Sequence, residues 1–229
     1  MSDTICLTHV RALVALPEKL PMGTALSRLC PCCFSSPATP AATTTERSTS
    51  TTSDKTQPER PTKRHWVDEK GNSCFMLLPR GLSIAWAENP SYWAWLPPPP
   101  GEGSAGDAAG EEVAELKNVW SLEVHGKLEL SQLTPGATYE VAFEVMLKQG
   151  CGGWQVPVDL QLELPGARAQ ERKESLEKKA RGQWLPLKVG DVEVEKGQQG
   201  GELVVTLSQD GGHWKSGLVV RGIRIAPKT

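Results

Sequence analysis

Apart from tryptophan the chain is poor in aromatic residues, with two tyrosines and three phenylalanines in 229 residues. It also lacks any run near the ~18 apolar residues of a membrane span, so none is expected. Neither sign of charge dominates: 25 Lys and Arg against 27 Asp and Glu give a formal charge of -2. That balance disfavours nucleic acid as a partner, because phosphate contacts need a basic surface. No secretory leader is recognisable, since Asp3 sits where positive charge belongs and Ala12 to Leu16 is short and closed by Pro17-Glu18-Lys19. The expected compartment is therefore the cytoplasm, the nucleus or both, where thiols stay reduced.

The six cysteines spell out no disulfide framework. Cys30, Cys32 and Cys33 crowd into CPCC, while Cys6, Cys74 and Cys151 are scattered. Cys6, His9, Cys30 and Cys33 do not follow a zinc-ligand spacing. Acylation of the CPCC thiols would need a second membrane signal to hold. We expect unmodified thiols, with no metal and no cofactor.

Tryptophan is what the chain has in excess, with eight. Three fall in Leu82 to Trp95, LSIAWAENPSYWAW. Leu82, Ile84 and Trp86 alternate with Ser83 and Ala85, the period of a strand with one buried face. Asn89-Pro90 breaks it, and Trp93 and Trp95 alternate again around Ala94. Indole rings fill cores, and they also stack on the C–H face of a sugar or on a base. Three at this density beside a turn favour the second role for at least one.

Residues 1 to about 65 read as a tail. From Ser35 to Lys63 Ser, Thr and Pro dominate, and such a segment buries too little surface to offset its ordering entropy. Residues 66–229 hold the folded domain. Pro97 to Pro100 and GEGSAGDAAGE form a loop, and Glu111 to Lys117 has the composition of two helical turns. Trp120, Leu122 and Val124 alternate, His125-Gly126-Lys127 suits a turn, and Leu128 and Leu130 resume. Tyr139, Val141, Phe143, Val145 and Leu147 put five large side chains on one strand face, opposite Glu140, Ala142, Glu144 and Met146. After a break at Gly150 to Gly153, Val156 to Leu164 alternates again. Arg168 to Arg181 is a charged run, read as a solvated loop. Trp184–Val194, Glu202–Leu207 and Leu218–Ile225 supply three more strands. Short strands at regular spacing with Gly and Pro turns predict an all-β sandwich of two antiparallel sheets. Trp120 and Trp214 are assigned to its core, because each heads an alternating run. Trp95, Trp154 and Trp184 stay open between core and site.

Taken together, LSIAWAENPSYWAW, VAELKNVWSLEVHGKLELSQLTPGATYEVAFEV and the closing HWKSGLVVRGIRIAP resemble the phloem protein 2 family of plant lectins, the Nictaba-type agglutinins among them. The resemblance covers roughly residues 73 to 229; the tail lies outside it and carries no F-box pattern. It implies a jelly-roll sandwich that binds N-acetylglucosamine oligomers or the N-glycan core. It also implies sugar contacts from two tryptophans of the first motif, which fall on Trp86 and Trp93, and from two late glutamates. Those positions hold Glu202 and, in place of a glutamate, Gln209. Seven residues apart on an unbroken strand they would face opposite ways, so Gln209 is expected where the strand ends and turns.

The leading expectation is a non-catalytic carbohydrate-binding protein whose partners are N-acetylglucosamine-containing glycans or glycoproteins, with a homodimer compatible. An enzyme would need paired carboxylates, such as Glu202 and Asp191, and the spacing gives no motif for one. The alternative is a sandwich that binds protein, or RNA in phloem traffic, without sugar affinity; the acidic balance makes RNA the weaker partner.

Overall fold

The computed structural model describes residues 60–99, 111–197 and 200–228. Among them the strands are β1 (Lys63–Val67), β2 (Ser73–Leu77), β3 (Ser83–Ile84), β4 (Trp93–Leu96), β5 (Val113–Leu116) and β6 (Leu122–Glu129). They continue as β7 (Thr138–Gly152), β8 (Val158–Glu163), β9 (Gln170–Glu174), β10 (Trp184–Glu193), β11 (Glu202–Gln209) and β12 (Ser216–Pro227). Every strand pair is antiparallel, and the strands form two sheets. In the first, β12 pairs with β7 along one edge and with β2 and β5 in turn along the other; β10, β1 and β4 add outside them. The second runs β3-β6-β11-β8-β9. This is the all-β sandwich of two antiparallel sheets that the strand spacing predicts, in the jelly-roll-like form that the family resemblance implies.

Alternation explains the core. Tyr139, Val141, Phe143, Val145 and Leu147 of β7 are all buried, and Leu203, Val205 and Leu207 of β11 join the same core cluster. The opposite face of β7 meets cations. Glu140 and Glu144 pair with Arg224, Glu144 with Arg221 and Glu140 with Lys188. Lys188 and Lys228 also hold Asp191, at 2.9 and 3.0 Å. Burial pushes the Asp191 carboxyl up, but the two ammonium groups outweigh it and hold it below its ordinary value. Across the sandwich edge, the Gln170 amide donates to the Asp191 carbonyl (2.7 Å) and accepts from its N–H (3.1 Å), tying β9 to β10.

Several local expectations are corrected. Residues 111–117 are not helical: Val113, Ala114 and Leu116 are buried in β5 between β12 and β4, and pairing overrides helix propensity. His125-Gly126-Lys127 is the middle of β6, not a turn. A Cβ on Gly126 would lie 2.4 Å from the Ile223 side chain, so close packing and not chain reversal calls for glycine. β7 runs on to Gly152, past the expected break, with Gly150 at φ 75°. Part of the charged run 168–181 is the edge strand β9, paired with β8; its side chains are exposed or half-buried, so no apolar alternation marks it in the sequence. Strand β1 opens at Lys63, inside the expected tail, where Lys63 to Val67 pair with Leu77 to Ser73. Residues 1–59 of that tail, with CPCC, and the loop residues 100–110 lie outside the described residues.

Candidate functional site

The tryptophan-rich stretch does not continue as a strand to Trp86. Strand β3 stops at Ile84, and the chain turns through residues 85–92 before entering β4. Trp86 adopts φ 64°, a left-handed conformation no other non-glycine described residue shares. Bulky side chains rarely accept it, and the turn enforces it. Ala85 donates to the Glu123 carbonyl (3.0 Å), Ala87 to Ile84 (3.2 Å) and Asn89 to Trp86 (3.0 Å). Asn89 then accepts from Tyr92 and Trp93 on its carbonyl and from the Ser91 N–H on its side chain. Lys117 fastens the outer flank, with its N–H on the Tyr92 carbonyl and its Nζ on that of Pro90.

The alternation of Trp93 and Trp95 in β4 holds, but their roles are those of clamps. Trp93 is buried, and its Nε1 donates to the Ala85 carbonyl at 3.0 Å. Trp95 donates to the Ala87 carbonyl at 3.4 Å, with the Arg80 guanidinium 3.6 Å above its ring. The two indoles thus grip the peptide carbonyls on either side of Trp86 and leave that ring 66% exposed. Trp93, implied as half of a sugar platform, offers no open face in this structure. Its size and its N–H are used inside.

The rings that accompany Trp86 are others. Tyr92 meets it edge-on at 6.2 Å, and Trp120 and Trp214 form a second edge-on pair at 5.9 Å. Both tryptophans were expected in the core, yet they are about half exposed, at 49% and 54%. Each stands one step outside its alternating run, where the strand has not begun to bury a face. With Val119 and Ser121 these four rings line a groove of about 260 Å³. That is slightly below the ~300–1,000 Å³ of enclosed small-molecule pockets, room for about one sugar ring at a time. The turn after β3, the residues before β6 and the loop between β11 and β12 meet here, at one end of the second sheet.

Beneath the second pair lies Lys215. Its side chain is fully buried, and its Nζ donates to the carbonyls of Trp120 (2.5 Å), Gly211 (3.1 Å) and His213 (3.2 Å). Backbone bonds in both directions join Lys215 to Val119, and the Ser121 hydroxyl donates to Asp210 at 2.6 Å. Burial lowers the ammonium's pKa below its usual value, against the attraction of Asp210.

The two late site positions are not brought to the groove. Strand β11 is unbroken, so Glu202 and Gln209 face opposite ways, about 23 Å apart along the strand at ~3.3 Å per residue. Glu202 is exposed at the far end, 3.2 Å from Lys127. Gln209 lies level with Leu122, near the groove, but it points inward and is buried. Its Nε2 donates to the Val156 carbonyl, and its Oε1 has no hydrogen-bond partner. Of the open tryptophans, Trp154 belongs to the core, donating to the Ser216 carbonyl, and Trp184 is half-buried beside Arg221.

Comparison with known proteins supplies the family. The family described as Phloem protein 2 matches residues 72–227. A protein named PHLOEM PROTEIN 2-LIKE A1, from Arabidopsis thaliana, is 38% identical over 167 residues, 72% of this chain and 66% of that protein. A protein named Lectin, from Luffa acutangula, is 40% identical over 168 residues, 73% of this chain and 77% of that one. The chain thus spans about two thirds to three quarters of these relatives' length. Among solved structures, TmCBM61 in complex with β-1,4-galactotriose aligns over 64% of this chain and 87% of that one. Its identity is 14% and its TM-score 0.35, too distant a likeness to argue from.

Proposed function

The chain belongs to the phloem protein 2 family, and from that premise we propose that it is a lectin, a non-catalytic protein holding N-acetylglucosamine oligomers or the N-glycan core on its aromatic groove. The observation that carries this reading is Trp86: an indole held in a strained conformation by a clamped turn, 66% exposed beside the exposed rings of Trp120 and Trp214 and the half-buried ring of Tyr92. A pyranose presents an apolar C–H face that such a surface stacks against and desolvates. Among the described residues, the groove lining contains no carboxylate, whereas glycoside hydrolysis needs two flanking the scissile bond. A lectin name on the Luffa relative supports the same class. Trp86 keeps the role the family resemblance gives it; Tyr92, Trp120 and Trp214 take the one implied for Trp93. We extend the proposal to a cytoplasmic or nuclear setting, with glycoproteins as partners.

A glycan array on the full chain tests this. N-acetylglucosamine oligomers or N-glycan cores should be retained above other sugars, and chitin oligomers should be recovered intact after incubation. An array on which no glycan is retained would sink the lectin reading, and shortened oligomers would sink the non-catalytic one.

A further inference from the structure

The aromatic groove depends on a residue that never touches its surface. Trp120 and Trp214 come from segments far apart in the chain, and neither is fixed by core packing, since each is about half exposed. Their edge-on geometry, 5.9 Å and 75°, must therefore be imposed through their backbones. The loop between β11 and β12 is poorly suited to impose it alone. Gly211 and Gly212 both sit at positive φ, and they carry the chain into His213 and Trp214 with few constraints of their own. What fixes this loop is the Lys215 ammonium. One of its three N–H donors reaches the Trp120 carbonyl on the other segment, and two reach Gly211 and His213 within the loop.

We propose that Lys215 is the positioning residue of the groove, its buried ammonium setting the angle at which Trp214 meets Trp120. The inference rests on the lectin reading for its purpose but not for its geometry. A lysine that served stability alone would be an odd choice here. Burying a cation is costly unless its donors are satisfied, and an apolar side chain would fill the same space without that cost. What an apolar side chain cannot do is draw three carbonyls from two segments to one point. The arrangement also matches donor number to acceptor number: three N–H groups, three carbonyls, no water required. The adjoining backbone bridge between Val119 and Lys215 sets the distance between the segments. The ammonium sets how the glycine-bearing loop folds onto it.

Two edge-on indoles this close couple their transitions, so the geometry can be read directly. The couplet is defined as the far-ultraviolet circular dichroism of the full chain that disappears in Trp214→Phe. In Lys215→Met we expect that couplet to vanish while the sheet signal and the cooperative melt remain, and affinity for N-acetylglucosamine trimer to fall ten-fold or more. Lys215→Arg, which keeps a cation and N–H donors in the same nest, should recover the sign of the couplet and part of the affinity. A folded Lys215→Met with the parent's couplet and an affinity within two-fold would overturn the proposal. Should Lys215→Met fail to fold, Lys215→Arg decides: a retained couplet supports the role, and a parent-like melt without the couplet overturns it. If the parent binds no glycan while the couplet responds as described, the lectin reading fails and the positioning role stands.

Discussion

The left-handed tryptophan makes a prediction in which strain and stacking separate. At φ 64° any L-residue pays the left-handed penalty, ~1–2 kcal/mol, whereas glycine does not. Trp86→Ala keeps the penalty and loses the edge contact with Tyr92, worth about 0.5–1.5 kcal/mol. Trp86→Gly loses the same contact but relieves the strain, less the ~0.5–1 kcal/mol that glycine's freedom costs on folding. The glycine variant should then be the more stable of the two by about 0.5–1 kcal/mol, or roughly 2–4 °C at the upper end for a domain of this size. Binding should not follow that order. Both variants lack the ring, so both should lose ~1–3 kcal/mol of stacking, roughly a 5- to 150-fold rise in Kd. Scanning calorimetry and titration with N-acetylglucosamine oligomers on the same samples give the two readouts. If alanine and glycine melt together, the turn is not held left-handed in solution. If either variant binds as the parent does, Trp86 is not part of the recognition surface.

Other outcomes follow from the sandwich itself. Phe143→Ala should cost ~3–5 kcal/mol in denaturant unfolding, while Glu144→Ala, which removes only partly exposed ion pairs with Arg221 and Arg224, should cost less than about 1 kcal/mol. Equal losses would mean the β7 register is wrong. Gln209→Glu should not strengthen sugar binding, because the side chain is buried against the Val156 carbonyl. It should destabilise the fold, and more at neutral pH than near pH 4, since a buried carboxylate facing a carbonyl is worse than a carboxylic acid that can donate to it. Asp191 titrates with the opposite sign: its folded value lies below the ordinary 3.8, so its pairing stabilises above pH 3.8 and is lost as pH falls through the folded value. The destabilisation caused by Lys188→Met should accordingly be present at neutral pH and shrink below pH 3.8; a loss independent of pH would show that Asp191 is not its cause.

The fold was legible wherever a strand had one face in water. The alternation of residues 139–147 and of Glu202–Leu207 translates directly into core and surface, because a period of two has one reading. It failed where both faces are covered. Strand β5 buries Val113, Ala114 and Leu116 together, and such a pattern over four residues resembles a helix turn as much as a strand. The glycine at 126 looked like punctuation because close approach and chain reversal call for the same residue. At the candidate site, sequence singled out the stretch that holds Trp86, whose ring the structure leaves exposed, but it expected an open face at Trp93 and core positions at Trp120 and Trp214, where burial is the reverse. Trp93 obeys alternation and is buried; Trp120 and Trp214 stand two residues ahead of strands that begin at Leu122 and Ser216, where the sheet does not yet cover them. Lys215 could not have been found this way. A single lysine before a strand reads as a solvated charge, and only the three carbonyls around it say otherwise.

The groove's rings stand on three connecting segments, while the paired strands below them carry the cooperative core. That separation turns the molecule into a chassis for recognition. Positions 86, 120 and 214 are exposed and stand outside the paired strands, so a library randomised at those three should stay mostly folded while its preferences among flat ligands drift. The tolerance has a boundary one side chain deep. Randomising Trp93, Trp95 or Lys215 as well would remove the supports that give each new surface a single shape, and selection would then return binders of many shapes and little discrimination.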